Sequence, residues 1–264
     1  MTLPNSPIEH VHVLLKPLIP PESLHALEQA LQEAGMNYDF SPQPGGVLLC
    51  LGGDGTLLGA LRSGSACFGV HVGNLGFLTA TNLSGVADFL HALKNGYYRV
   101  EKHLMLEAWL DDQEHTRFVC ANDIVVTKKD VYGILELQLF VEGVLANVYQ
   151  VDGLIVATPL GSSAYNISVG GSVVHPLCQN ILITPIAPHS LTQRPLILGS
   201  HVQLSIRTHK SCMIVLDGQS HHLMRPDQEL CLQQAIQQAT LLQPLERDYF
   251  QVLREKFSWG GGYV

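Results

Sequence analysis

Apolar positions in the first hundred residues follow two alternating rhythms. An unbroken apolar run at residues 47–51 and apolar-rich segments at residues 11–15 and 67–72 predict buried strands. Between them, spacings of three and four residues predict helices. After Pro20-Pro21, Leu24, Leu27, Leu31 and Ala34 mark one helical face, with Ser23 as the expected N-cap and Gly35 as the stop. A second helix is expected from Asp54 to about residue 63. A third is expected over residues 84–95, with Val86, Phe89, Leu90 and Leu93 on its apolar side. Strand–helix alternation of this kind predicts a parallel, Rossmann-like sheet covered by helices.

The rhythm changes near residue 97. Short alternating segments follow at residues 104–110, 118–126, 134–141, 144–151, 154–157, 181–184, 202–207 and 213–216, with almost no helical spacing. Glu142-Gly143 between two of them is a two-residue hairpin signal. Residues 162–170 are the exception and read as a turn entering a short helix. The expected architecture is therefore an α/β domain over residues 1–97 and an all-β, sandwich-like domain over residues 98–235. In the tail, 236–264, residues 249–257 read as a helix that packs back on the first domain, and Gly260-Gly261-Gly262 reads as loose.

Composition narrows the partners. The 264 residues are 46% apolar and only 14% charged, below the usual quarter. Sparse charge suits a protein with part of its surface in subunit contacts, and it also suits a monomer. The net charge of −8 and the lack of any Lys/Arg run argue against nucleic acid. An anionic ligand must then be held by backbone N–H groups, a few hydroxyls and a metal ion. None of the six cysteines forms a C-x-x-C pair, so reduced thiols in a cytoplasmic protein are expected. The opening Met-Thr-Leu-Pro-Asn-Ser-Pro lacks the pattern of a secretory signal. No run reaches the ~18 apolar residues of a membrane span. Among thirteen histidines, His10 and His12 alternate in a strand pattern and His221-His222 are adjacent. Neither pair has a matching cluster along the chain, so no protein-held metal cage is expected.

The most informative chemistry lies at Gly52-Gly53-Asp54-Gly55-Thr56, directly after the strand at 47–51. Three glycines allow a sharp bend and a close backbone approach. The helix that follows presents free N–H groups and its positive dipole end, which suits phosphate. An acid in such a place repels anions. Asp54 is therefore either an N-cap or a base that takes a proton from a hydroxyl attacking a phosphoryl group. The chain has neither a Gly-x-x-x-x-Gly-Lys-Ser/Thr loop nor a His-Arg-Asp catalytic loop. A second glycine loop, Gly73-x-Leu75-Gly76-Phe77, also ends a strand, the side on which such sheets bind ligands. Residues 152–171 combine an acid, Asp152, with a strand and a turn carrying Thr158, Ser162, Ser163, Tyr165 and Ser168.

These motifs resemble those of the NAD kinase family. The resemblance rests on the Asp54 turn, the second glycine loop, Asn122-Asp123, residues 152–171 continuing into His175-Pro176, residues 184–190, Arg194-Pro195-Leu196 and Asp217-Gly218-Gln219. It spans nearly the whole chain. It implies a phosphotransferase with an alcohol acceptor, which moves the γ-phosphoryl group of ATP to the adenosine 2′-hydroxyl of NAD with a divalent cation such as Mg²⁺. Residues 1–97 would bind nucleotide phosphates and residues 98–235 would bind NAD. Asp54 would accept the proton, with Gly53, Gly55 and Thr56 beside it at the phosphate. Phe77 would line the adenine side, Asn122 and Asp123 the ribose, and Asp152 the nicotinamide half. Ser163, Ala164, Tyr165, Asn166 and Ser168 would wrap the dinucleotide, Ala187 would reach a neighbouring subunit's site, and Gln219 would approach the ligand. A cytoplasmic homodimer or homotetramer is implied. The family usually has Glu where Asp123 stands, which shortens the reach by about 1.5 Å. The alternatives are a lipid or sugar kinase of the same superfamily and a non-catalytic dinucleotide sensor.

Overall fold

A computed structural model describes residues 5–73, 76–111, 117–130 and 132–259. Leu75 of the second glycine loop and the Gly260-Gly261-Gly262 ending lie outside these residues. The chain forms two compact units, Met1–Glu101 with Thr240–Val264, and Lys102–Ala239.

The first unit opens with β1 (His10–Leu15), α1 (Pro21–Glu33), β2 (Asn37–Asp39), β3 (Leu48–Gly52), α2 (Asp54–Leu61), β4 (Ala66–His71), β5 (Thr81–Asn82), α3 (Val86–Lys94) and β6 (Arg99–His103). β1 pairs in parallel with β2 and β3, β3 with β4, and β4 with β5. Alternation along the strands sorts the core. Val11, Val13, Leu49, Leu51, Phe68 and Val70 form one cluster with Leu27 and Leu31 of α1 and Phe89, Leu90 and Leu93 of α3. Gly69, between Phe68 and Val70, turns the other way, where an added Cβ would lie 3.3 Å from Leu57 of α2. α1 begins at Pro21 with Pro20 as N-cap, so Ser23 is a buried residue inside the helix and not its cap. Proline suits the first helical position because the N–H it lacks has no partner there anyway.

Among the described residues the second unit is mostly β. It runs β7 (Leu106–Leu110), β8 (Phe118–Cys120), β9 (Asp123–Lys128), β10 (Leu135–Val141), β11 (Val144–Val151), β12 (Gly153–Ala157), a 3₁₀ turn (Leu160–Ser163), α4 (Tyr165–Ser168), β13 (Asn180–Ile186), β14 (Leu196–Gly199), β15 (Leu204–Arg207), β16 (Cys212–Leu216), β17 (Ser220–Met224) and β18 (Glu229–Gln234). Two antiparallel sheets result, in the orders β11-β10-β15-β18-β7-β8 and β14-β13-β12-β9-β16-β17. Leu106, Leu137, Val151, Ile206 and Leu232 of the first sheet share a buried cluster with Val126, Val156, Ile183 and Ile214 of the second. This is the expected sandwich. The Glu142-Gly143 hairpin is also as expected, with φ of 51° and 75° and Val141 opposite Val144. Positive φ at both turn residues matches the right-handed twist of the flanking strands. β12 is buried at all five positions. Val125, Ile155, Ala157 and Leu182 form a separate buried cluster, packed by Val169 and Val174 from the segment around α4.

The chain then returns to the first unit as β19 (Ala239–Gln243) and α5 (Tyr249–Phe257). β19 is parallel to β4 and separates it from β6 in the sheet order β2-β1-β3-β4-β19-β6. All six cysteines are free. Burial pushes the Cys50 and Cys212 thiols up to about 12, which leaves them protonated and unreactive.

Candidate active site

In the first unit, β3 runs straight into α2 through Gly53, an extended N-cap residue. Asp54 is the first helical residue, and its side chain does not cap the helix. It bonds across to the second glycine loop. Oδ2 accepts the Phe77 N–H at 2.8 Å and Oδ1 the Leu78 N–H at 3.1 Å. An ionised carboxylate offers about four lone-pair sites, so each oxygen retains acceptor capacity. Two glycines make the geometry possible. A Cβ on Gly76 would overlap Asp54 Oδ1, and one on Gly52 would stand 2.6 Å from Thr56 Oγ1 and 2.9 Å from Lys16 Cβ.

The C-terminal tail holds the same loop from the other side. Gln243 Nε2 donates to the Leu78 carbonyl at 2.9 Å, and Arg247 Nη2 donates to the Phe77 carbonyl at 2.6 Å. The Phe77 ring lies 5.4 Å from that of Phe257. Residues 77 and 78 are thus gripped by an acid on their N–H groups and by an amide and a guanidinium on their carbonyls. Gln243 and Arg247 escaped the sequence reading because they stand more than 160 positions away.

In the second unit the site is built around Asp217. Its φ of 50° is left-handed, and its carboxylate accepts N–H bonds from Ala121 (3.1 Å), Asn122 (2.7 Å) and Asp123 (3.3 Å). The Asp217 N–H donates to the Asp123 carbonyl at 2.9 Å. The turn after β12 locks onto the same stretch. Thr158 N–H donates to the Asn122 carbonyl at 2.8 Å, Thr158 Oγ1 to the Ala121 carbonyl at 2.6 Å, and Gly161 N–H to Thr158 Oγ1 at 3.0 Å. A cleft of about 380 Å³ opens here, lined by Asn122, Asp123, Ala164, Tyr165, Ile186 and Gly218 among others. Tyr165 is 45% exposed. Asn122 Oδ1 is buried without a hydrogen-bond partner among the described residues, an acceptor that a ligand hydroxyl or amine would satisfy.

Four of the expected site residues therefore share one cleft: Asn122, Asp123, Ala164 and Tyr165. Asp152, Ser163, Ser168, Ala187 and Gln219 are not part of its lining. Asp152 pairs with Lys128 at 2.7 Å, and Ala187 is exposed with a left-handed φ of 46°. Asn166 departs from the expected role. It is fully buried, its Nδ2 donates to the Ser162 and Ser172 carbonyls, and its Oδ1 accepts from Thr184 Oγ1 at 2.6 Å. That amide holds the turn together. The histidine pair on β1 also differs from expectation, because β2 supplies the clustered partner that linear order hid. His10 Nε2 lies 2.9 Å and His12 Nδ1 2.8 Å from the Asp39 carboxylate.

Burial, and then the neighbouring Asp217 charge, raise the Asp123 carboxyl to about 7. Between pH 4 and 7 the folded chain keeps a proton that the unfolded chain has lost. Stability then falls as pH rises through that window, and the penalty is complete above it. About three units correspond to at most roughly 4 kcal/mol. Asp123→Asn removes the ionisation and still faces Asp217. Its melting temperature is expected to exceed that of the parent by roughly 5–10 °C at pH 8 and to match it near pH 4. Equal shifts at both pH values in a thermal scan would mean that Asp123 does not titrate this way.

Comparison with known proteins converges on one family. Residues 121–243 match the ATP-NAD kinase C-terminal domain. A protein named NAD kinase from Helicobacter pylori (strain P12) is 47% identical over 218 residues, 81% of this chain and 76% of that protein. A crystal structure of yeast NADH kinase complexed with NADH superposes with a TM-score of 0.86 at 23% identity, covering 98% of this chain and 90% of that one. An Archaeoglobus fulgidus NAD kinase in complex with ATP gives 0.80 at 23% identity, covering 94% and 98%. The two structures establish the shared fold, and the identity to the Helicobacter protein establishes kinship: this chain belongs to the NAD kinase family.

Proposed function

We propose that the chain transfers the γ-phosphoryl group of ATP to the adenosine 2′-hydroxyl of NAD, with Asp54 as proton acceptor. The observation that carries this is the placement of Asp54. Its carboxylate is fixed by two backbone N–H groups beside the N-terminus of α2, with lone pairs to spare. In the reaction the 2′ O–H bond breaks toward Asp54, a bond forms from that oxygen to the γ-phosphorus, and the β–γ bridge leaves with ADP. A carboxylate takes such a proton late, as a loose transition state develops. On this reading the first unit binds nucleotide phosphates through Gly53, Gly55 and Thr56. The cleft of the second unit takes the adenosine half of NAD, with Asn122 and Asp123 at the ribose and Tyr165 on a ring face. Asp123 is buried, so its contact to a hydroxyl is made as a neutral acid or through water.

A divalent cation such as Mg²⁺ fits this site only loosely. Among the described residues, the one group of three potential ligand side chains does not include Asp54. Mg²⁺ is commonly held by substrate phosphates and its own waters with few protein ligands, and Asp54 offers spare acceptor capacity for that. When bound, the cation neutralises charge on the transferring phosphoryl group. A cytoplasmic homo-oligomer, dimer or tetramer, completes the reading. The free thiols and exposed Val144, Leu145 and Ile197 on β11 and β14 support it.

The test is incubation of the purified protein with ATP, Mg²⁺ and NAD, with product read by an NADP-specific dehydrogenase. NADP should accumulate. NAD binding without product would make the protein a sensor, and phosphorylation of a lipid or sugar in place of NAD would give this family member a different acceptor.

A further inference from the structure

We infer that His10, His12 and Asp39 form a binding site for a transition-metal ion of the zinc type. His10 and His12 are two apart on β1, so their side chains leave the same face of the sheet. β2 is parallel to β1, and Asp39 is the register partner of His12. Two imidazoles and one carboxylate thus converge from neighbouring strands. His10 Nε2 and His12 Nδ1 each lie within 2.9 Å of a different oxygen of Asp39. The three ligand atoms all fall within 4.8 Å of one another. Zinc holds nitrogen and oxygen ligands at roughly 2.0–2.2 Å in a tetrahedron, so rotations of the exposed His10 and the half-buried Asp39 close the set.

The ligands are oriented before any ion arrives. Asp39 Oδ1 accepts the Ser41 N–H at 2.8 Å. The His12 side chain is only 8% exposed, and its ring lies so close to Gly46 that a Cβ there would overlap it. The two imidazoles meet edge to face at 4.8 Å. Two nitrogens and one oxygen suit zinc, cobalt, nickel or copper and not the hard cations magnesium or calcium. To bind, His10 carries its proton on Nδ1 and His12 on Nε2, and water takes the fourth position. The site lies away from the Asp54 turn. His12 pairs with Leu48 at the start of β3, whereas Asp54 lies two residues beyond Gly52, the strand's last residue, which is itself roughly 13 Å further along. The ion therefore acts as a clip that fastens the three-residue edge strand β2 and the loop after it to β1, and takes no part in phosphoryl transfer.

The test uses full-length, untagged, chelator-stripped protein titrated with Zn²⁺ against a competing indicator, and with Co²⁺ followed by its visible absorption. One ion per chain is expected. His10→Ala, at an exposed position, should weaken binding by at least about tenfold and abolish the cobalt band while leaving the melting temperature of the metal-free protein unchanged. Asp39→Asn should weaken zinc similarly. Kinase turnover of stripped protein should be the same for parent and His10→Ala. Unchanged zinc affinity in His10→Ala would assign the ion to an adventitious site elsewhere and overturn the proposal. No binding at 100-fold excess of zinc over protein would overturn it as well.

Discussion

Asp54→Asn is expected to lower turnover by about 10²- to 10⁴-fold, the usual cost of removing a general base, while NAD still binds. The substitution also has a structural consequence. The carboxylate accepts two N–H bonds, from Phe77 and Leu78. An asparagine in the same pose must turn its NH₂ toward one of those donors. That contact is lost, at about 1–3 kcal/mol if the donor is left buried. The two effects separate by readout. Loss of the anchor alone loosens the 76–78 loop, lowers the melting temperature and raises KM. Loss of the base lowers kcat, by about 3–5 kcal/mol in activation free energy, with NAD affinity by calorimetry little changed. Near-normal turnover would leave Asp54 as a loop anchor and remove it from the chemistry.

Gly161→Ala is expected to be the most damaging single methyl in the second unit. Its Cβ would overlap the backbone carbonyl of Asn122, and backbone cannot rotate aside as a side-chain tip does. The turn cannot retreat easily either. Thr158 is fully buried, ties the turn to residues 121 and 122 through hydrogen bonds of 2.6 and 2.8 Å, and accepts the Gly161 N–H at 3.0 Å. Overpacking of this kind costs about 3 kcal/mol or more, or a melting temperature lower by at least roughly 6 °C. Because the displaced residue is Asn122, NAD affinity should fall in the same variant. Gly59→Ala is the control. It sits in α2 with nothing within 4 Å of the added Cβ, and alanine is the better helix former by about 1 kcal/mol. A Gly161→Ala protein that melts and binds like the Gly59→Ala control would show that the turn is free to move.

Several features of the site were legible from local pattern. The β3–α2 turn announced itself through glycines and an acid after an apolar run. The hairpin at Glu142-Gly143 followed from turn chemistry alone. Other features depended on partners that no local window contains. Asp54 read as either an N-cap, where aspartate is common, or a base. Its true partners are N–H groups 23 and 24 residues later. Asn166 looked like one more polar group in a ligand-wrapping turn, until the fold enclosed it. Asp217 belonged to a recognisable motif, but its grip on the Asn122-Asp123 backbone joins positions about 95 residues apart.

The amino-acid order alone determined the two fold classes, the glycine turns and the identity of the acid at the helix start. Each of these rests on periodicity, on backbone freedom or on a dipole, and all three act within a few residues. Only the tertiary structure decided that β19 enters the parallel sheet, that Gln243 and Arg247 brace the second glycine loop, and that Asp39 joins two histidines. It also decided that Asp123 is desolvated beside Asp217. Such outcomes depend on which distant segments exclude water from one another, and a sheet's pairing partners are set by the sum of its packing, not by any one strand's composition.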